Sequence, residues 1–97
     1  MNRLPLSAVV TTFDNAATLE ACLASLAFAD ELLVLDSGSG DGSVEIARRH
    51  GARVLVEAFK GYGPQKQSAI DQAAHDWVVL LDADEALTAG AAEMVEA

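Results

Sequence analysis

The sequence is poor in the residues that carry several common chemistries. It holds one cysteine, Cys22, so no intramolecular disulfide can form. Cys22 stands among Leu19, Leu23 and Leu26 with no activating base or metal partner beside it, and reads as a small buried hydrophobe. Lysine and arginine number 6 against 15 aspartates and glutamates, a formal net charge of −9. Phosphate backbones are met by clustered basic residues, so this balance argues against nucleic acid as a partner and disfavours attachment to anionic lipid. No apolar run approaches membrane-spanning length, and the opening Met1-Asn2-Arg3-Leu4-Pro5 lacks the apolar core and small-residue cleavage site of a secretory signal. A reducing, cytoplasmic setting is the default expectation. The two histidines, His50 and His75, lack the neighbours that a metal or nucleophilic site needs.

What is present suits one small α/β domain. Ninety-seven residues with 52% hydrophobic content can supply one core, and the alanine pairs 16-17, 73-74 and 91-92 favour close helix packing over a bulky all-β interior. Strands are expected over Leu6 to Thr12, Glu31 to Leu35, Ala52 to Glu57 and Trp77 to Leu81. Between them lie helical patterns. Leu19, Cys22, Leu23 and Leu26 form the first stripe after Asp14-Asn15, which offers N-cap chemistry. Val44 and Ala47 face inward in the second helix, capped by Asp41 or Ser43 and ended near Gly51. Pro64 opens a third, with Ala69, Ile70, Ala73 and Ala74 inward, and Thr88 caps a last one carrying Ala91, Ala92 and Val95. Alternating strands and helices imply a Rossmann-like three-layer α/β/α fold with a mostly parallel sheet in the order 3-2-1-4. That order leaves a crevice beyond the C-terminal ends of strands one and four.

The fourth strand delivers acid to this crevice. Trp77-Val78-Val79-Leu80-Leu81, an apolar run that suits a strand covered on both faces, ends in Asp82-Ala83-Asp84-Glu85, and alternation puts Asp82 and Asp84 on one side. Two hard oxygen ligands at that spacing suit Mg2+ or Mn2+ held against a phosphate-bearing substrate, although acids that merely solvate a loop would look the same.

The glycine-rich turn Ser37-Gly38-Ser39-Gly40-Asp41-Gly42 does not complete a dinucleotide fingerprint. Gly38 and Gly40 fit its first two glycines, but the third position is Ser43, and Asp41 puts negative charge where pyrophosphate should dock. No Gly-Lys-Ser/Thr exists for a P-loop. Asp36, at a strand end just before the turn, can instead accept hydrogen bonds from a nucleobase or ribose.

Four ordered motifs then resemble the family-2 glycosyltransferases, nucleotide-diphosphate-sugar enzymes of the GT-A fold. They are Thr11-Thr12-Phe13-Asp14-Asn15, Leu35 to Ser43, Lys66-Gln67, and Leu81-Asp82-Ala83-Asp84-Glu85. The segments Asp36 to Ser39, Gly61 to Gln67 and Asp82 to Glu85 are similar to the bacterial branch that adds glucose to lipopolysaccharide core. The resemblance implies that Asp36 binds uracil or ribose, that Asp82 contacts ribose or the metal, and that Asp84 ligates the divalent ion. Thr11 and Thr12 would line the nucleoside pocket, and Lys66 would contact the donor. The implied partners are a nucleotide-diphosphate sugar, a UDP-sugar such as UDP-glucose, and a glycan or lipid-linked acceptor met at the inner face of the plasma membrane. The sequence departs from the family pattern at Ser37, where a second acid is usual, at Gly40, where threonine is usual, and at Gln67, where asparagine is usual. Asp41 is expected to cap a helix and Glu85 to face solvent.

A complete GT-A domain runs to roughly twice this length or more. Residues 1–97 therefore resemble the donor-binding half, inactive alone, and the base of an inverting transfer is expected beyond Ala97. The exposed sheet edge makes self-association an expectation. Two competitors stand beside this reading: a non-catalytic nucleotide-binding or interaction fragment, and a phosphotransfer domain of the receiver type. The latter usually places an acid pair after strand one, where this sequence has Thr11-Thr12.

Overall fold

The computed structural model describes residues 5–75 and 77–83, which form four strands and three helices. The strands are β1 (Leu6–Thr12), β2 (Glu31–Asp36), β3 (Arg53–Val56) and β4 (Trp77–Asp82). The helices are α1 (Ala16–Ser25), α2 (Ser43–Arg49) and α3 (Tyr62–Asp71). All pairings are parallel, and the sheet runs β3-β2-β1-β4, the order expected from the alternation of elements. The expected last helix, with Thr88, Ala91, Ala92 and Val95, lies outside the described residues, as do Asp84 and Glu85.

Successive residues of β1 feed opposite faces of the sheet. Ala8 and Val10 join Val34 against Leu19, Cys22, Leu23 and Leu26 from the first helical stripe and Ala47 of α2. Val9 joins Leu33, Leu35 and Ala69 of α3 on the other side. Two helices thus cover one face and one helix the other, which gives the three layers. No described helix is long and apolar enough to cross a membrane.

Three expectations are corrected by the packing. The Trp77 to Leu81 run is not buried on both faces: β4 is an edge strand among the described residues, Val78 to Leu81 are half-buried, and Trp77 is 59% exposed. Ile70 does not face inward. The helix begins at Tyr62, two residues before Pro64, and this phasing turns Gln65 and Ala69 to the sheet while Ile70 points out. Proline fits there because no first-turn N–H has an intrahelical partner, and the first such bond runs from Gln65 N–H to the Gly61 carbonyl. Asn15 is at the N-cap of α1 without a side-chain capping bond, because its amide oxygen is engaged behind it by Thr12 and Phe13.

The N-terminal edge of the sheet is tied by polar groups. Ser7, fully buried in β1, donates to Glu31 Oε1 at 2.7 Å, and the N–H of Ala74 donates to the same oxygen at 2.9 Å. Arg53 pairs with Glu31 Oε2 at 3.1 Å. Burial works against charge on Glu31, yet the Ala74 N–H, the Ser7 hydroxyl and Arg53 outweigh it and hold the carboxyl below its ordinary range. This network holds the bottom of the sheet, leaving the opposite end to carry the chemistry.

Candidate functional site

Strand ends β1 and β4 open a cleft of about 480 Å³, within the usual range of small-molecule sites. Its floor continues the sheet beyond the strands. Ser37 N–H donates to the Thr12 carbonyl at 3.0 Å on one side of β1, and Ala83 N–H donates to the Thr11 carbonyl at 3.1 Å on the other. Thr11, Thr12, Phe13 and Asn15 line the cleft from the β1 end, Ser37 from β2, Asp82 and Ala83 from β4. Phe59, Gln65 and Lys66 close it from the third crossover.

Register decides which side chains meet. Thr11 pairs with Asp82, so both point to the α3 face, and Thr11 Oγ1 donates to Asp82 Oδ1 at 3.2 Å. Lys66 reaches the same oxygen from α3, with Nζ at 3.5 Å. Thr12 pairs with Asp36 instead, so those two share the α1 and α2 face. Of the residues singled out in the sequence, Thr11, Thr12, Lys66 and Asp82 come together at the cleft.

Asp36 stands behind it. Its side chain is buried and accepts three hydrogen bonds from its own turn: Gly38 N–H at 2.9 Å, Ser39 N–H at 2.7 Å and Ser39 Oγ at 2.5 Å. Gly38 takes φ +101, which a side chain would resist. The turn is clamped in turn to the β1–α1 loop. Asp14, at φ +52, donates its N–H to Ser39 Oγ at 2.8 Å and accepts from Gly40 N–H at 2.8 Å. Aspartate tolerates this left-handed backbone better than most residues.

The cap expected at Asp41 or Ser43 falls on Gly42, at φ +90. Asp41 sits one residue earlier and serves both helix starts, accepting from Ser43 N–H at 3.1 Å and Ser43 Oγ at 2.6 Å with one oxygen and from Ala16 N–H at 3.0 Å with the other. The Ser43 hydroxyl, followed by the Ala16 N–H, holds its carboxyl below the ordinary range.

Gln65 was not singled out in the sequence, yet only 2% of it is exposed. Its amide donates to Ser37 Oγ at 3.1 Å and the Glu57 carbonyl at 3.3 Å, and accepts from Lys60 N–H at 3.3 Å. It thereby fastens α3 to the ends of two strands. The signal was available: Gln65, Ser68, Ala69 and Gln72 fall at helical spacing, a polar stripe on an inward face. Ser68 and Gln72 both donate to Glu57 at 2.8 Å, and Lys60 Nζ lies at 3.0 Å.

Gln72, Ser68 and Lys60, in that order, hold the Glu57 carboxyl down at about 2. A depressed carboxyl contributes stability that is complete above its unfolded value of 4.5 and is lost as pH falls toward 2. Glu57→Gln should therefore flatten the acid limb of a thermal-melting profile over that window while leaving the neutral limb parallel to the parent. An unchanged slope between the two pH values would rule out the Glu57 contribution.

Among the described residues, no three His, Cys, Asp or Glu side chains gather into a cation cage. The oxygen chemistry at Asp82 nevertheless fits Mg2+ or Mn2+, which take one or two carboxylates and complete their coordination with water and substrate phosphate. Asp82 is about half exposed beside a hydroxyl, and it already holds a cation, the Lys66 ammonium.

A parallel three-layer sheet with a cleft where the strand order reverses is the arrangement in which open α/β domains bind their ligands. Residues 7–96 match Glycosyl transferase family 2, and the chain belongs to that family. It is 34% identical over 98 residues to the lipopolysaccharide core biosynthesis glycosyltransferase LpsC of Rhizobium meliloti, covering 96% of this chain and 36% of that protein. An uncharacterized glycosyltransferase of Rickettsia bellii is 40% identical over 84 residues, covering 86% of this chain and 29% of that protein. The chain thus spans about a third of the length of these relatives. Among solved structures, it is similar to glucosyl-3-phosphoglycerate synthase from Mycobacterium tuberculosis in complex with Mn2+, UDP and glucosyl-3-phosphoglycerate. That likeness has a TM-score of 0.72 and 29% identity over 82% of this chain and 33% of that one. Mannosyl-3-phosphoglycerate synthase from Rubrobacter xylanophilus gives a TM-score of 0.75 at 26% identity, over 88% of this chain and 32% of that one.

Proposed function

We propose that this chain forms the donor-binding part of an inverting glycosyltransferase that moves a sugar from a nucleotide diphosphate to a glycan or lipid-linked acceptor. UDP-glucose is the expected donor and lipopolysaccharide core the expected acceptor. The observation that carries this reading is the meeting of Thr11, Asp82 and Lys66 at the cleft between β1 and β4. The kinship with LpsC supports the acceptor class, and the Mn2+ and UDP bound by the mycobacterial synthase support the donor class.

In this reading Thr11 and Thr12 border the nucleoside. Asp36 serves the same end by fixing the turn that carries Ser37 into the cleft. Lys66 meets the diphosphate, and Asp82 with Asp84 would hold Mg2+ or Mn2+. When bound, the metal neutralises charge on the departing diphosphate. No described residue is assigned as the base that activates the acceptor, and the reaction is placed at the cytoplasmic face of the membrane.

Titration of UDP by calorimetry with and without Mn2+ tests the donor assignment. Mn2+ should tighten UDP binding at least tenfold, and Asp84→Ala should remove most of that gain. A UDP affinity indifferent to both changes would defeat the metal assignment. Release of UDP from UDP-glucose in the presence of a core-sugar acceptor separates the transferase from a binding-only fragment.

A further inference from the structure

The oxygen of Asp82 proposed for the metal is occupied by another cation. Lys66 Nζ lies 3.5 Å from Asp82 Oδ1, and Thr11 Oγ1 donates to the same atom at 3.2 Å. Both charged side chains are partly exposed, at 38% for Lys66 and 47% for Asp82, and both line the cleft. An ion pair in such a setting is weak and easily exchanged. A divalent ion approaching Asp82 meets the ammonium at close range, where like charges repel.

We propose that Lys66 is a built-in competitor for the metal and makes metal and nucleotide binding depend on each other. Without nucleotide, the ammonium holds Asp82 and weakens the cleft's affinity for a bare divalent ion. A nucleoside diphosphate brings anionic oxygens that can receive the displaced ammonium, so the metal then binds without leaving Lys66 unpaired. The coupling is reciprocal: whatever factor the nucleotide adds to metal affinity, the metal adds to nucleotide affinity. This inference rests on the donor site proposed above and adds a second role for Lys66, that of holding Asp82 until the diphosphate receives its ammonium.

The test measures Mn2+ binding to the protein by electron paramagnetic resonance, with and without UDP, in the parent and in Lys66→Met, Lys66→Gln and Lys66→Arg. With the ammonium gone, Mn2+ alone should bind about tenfold more tightly. The factor by which UDP improves Mn2+ affinity should shrink correspondingly. Lys66→Arg should retain the parent's behaviour, which a merely structural change at this position would not produce. Placing Lys66→Met in an Asp82→Asn background should abolish the gain. If the parent binds Mn2+ together with UDP but the neutral variants leave Mn2+ affinity within twofold, the competitor role is overturned and the donor site stands. If the parent binds no Mn2+ even with saturating UDP, the donor reading fails and this inference with it.

Discussion

Replacing Asp36 with alanine is expected to lower stability by about 3 kcal/mol, the scale of losing a buried charged acceptor that serves three hydrogen bonds. One carboxylate takes the N–H groups of Gly38 and Ser39 and the Ser39 hydroxyl, and Ser39 in turn receives the N–H of Asp14. Alanine leaves these donors without their acceptor and releases the glycine turn from the β1–α1 loop. Asparagine should do less harm, because one amide oxygen can still accept. Urea denaturation is the measurement: the midpoint should fall for Asp36→Ala with an unchanged slope. A midpoint within experimental error of the parent would show that the turn stands without this carboxylate.

Leu33→Ala should be among the most damaging single truncations in the sheet, at about 2–5 kcal/mol. Leu33 is fully buried in β2, on the face covered by α3, among Val9, Leu35 and Ala69, with Leu55, Ala73, Val78 and Leu80 packed against them. For a domain of this size the loss corresponds to a fall in melting temperature of about 10 °C or more. Ile70→Ala is the matched control. Ile70 is 37% exposed, so its truncation should cost well under half as much. Equal losses at the two positions would restore the inward orientation that the sequence pattern suggested for Ile70.

The contrast between these residues shows where sequence alone was sufficient. The α1 stripe needed only helical spacing, and Leu19, Cys22, Leu23 and Leu26 are all fully buried. Strand order followed from alternation of elements and the usual doubly wound arrangement. The inward face of α3 followed only in part: Ala69 is buried and Ala73 packs beside it, while Ile70, one residue or about 100° further round, is exposed, as is Ala74. Alanines at 69, 73 and 74 are too featureless to fix that phase, while the polar Gln65, which does face inward, resembles a surface residue until its partners are known.

The cleft was legible in part for a related reason. Strand ends could be placed at one edge, which brought Thr11, Thr12, Asp36 and Asp82 into the same region. Which face each side chain takes depends on register, and register depends on pairings between residues far apart in the chain. Thr11 opposite Asp82 and Thr12 opposite Asp36 is a fact of the folded sheet. It puts the carboxylates of Asp36 and Asp82, both at strand ends, on opposite faces of the sheet. Asp41 was harder still, since its bond to Ala16 N–H joins two loops that no local pattern connects.

The central position of β1 also sets a timetable. It is made before the other described strands, yet its neighbours are β2 and, much later, β4. At about 5–20 residues per second, synthesis reaches Trp77 to Asp82 several seconds after it has made Leu6 to Thr12. Throughout that interval the β4 side of β1 is an open edge, and Thr11 has no Asp82 to meet. Asp82 and Ala83 complete the cleft only when the fourth strand docks. Ligand in the cell therefore cannot assist the early steps of folding, and it can stabilise only a chain whose sheet is already closed.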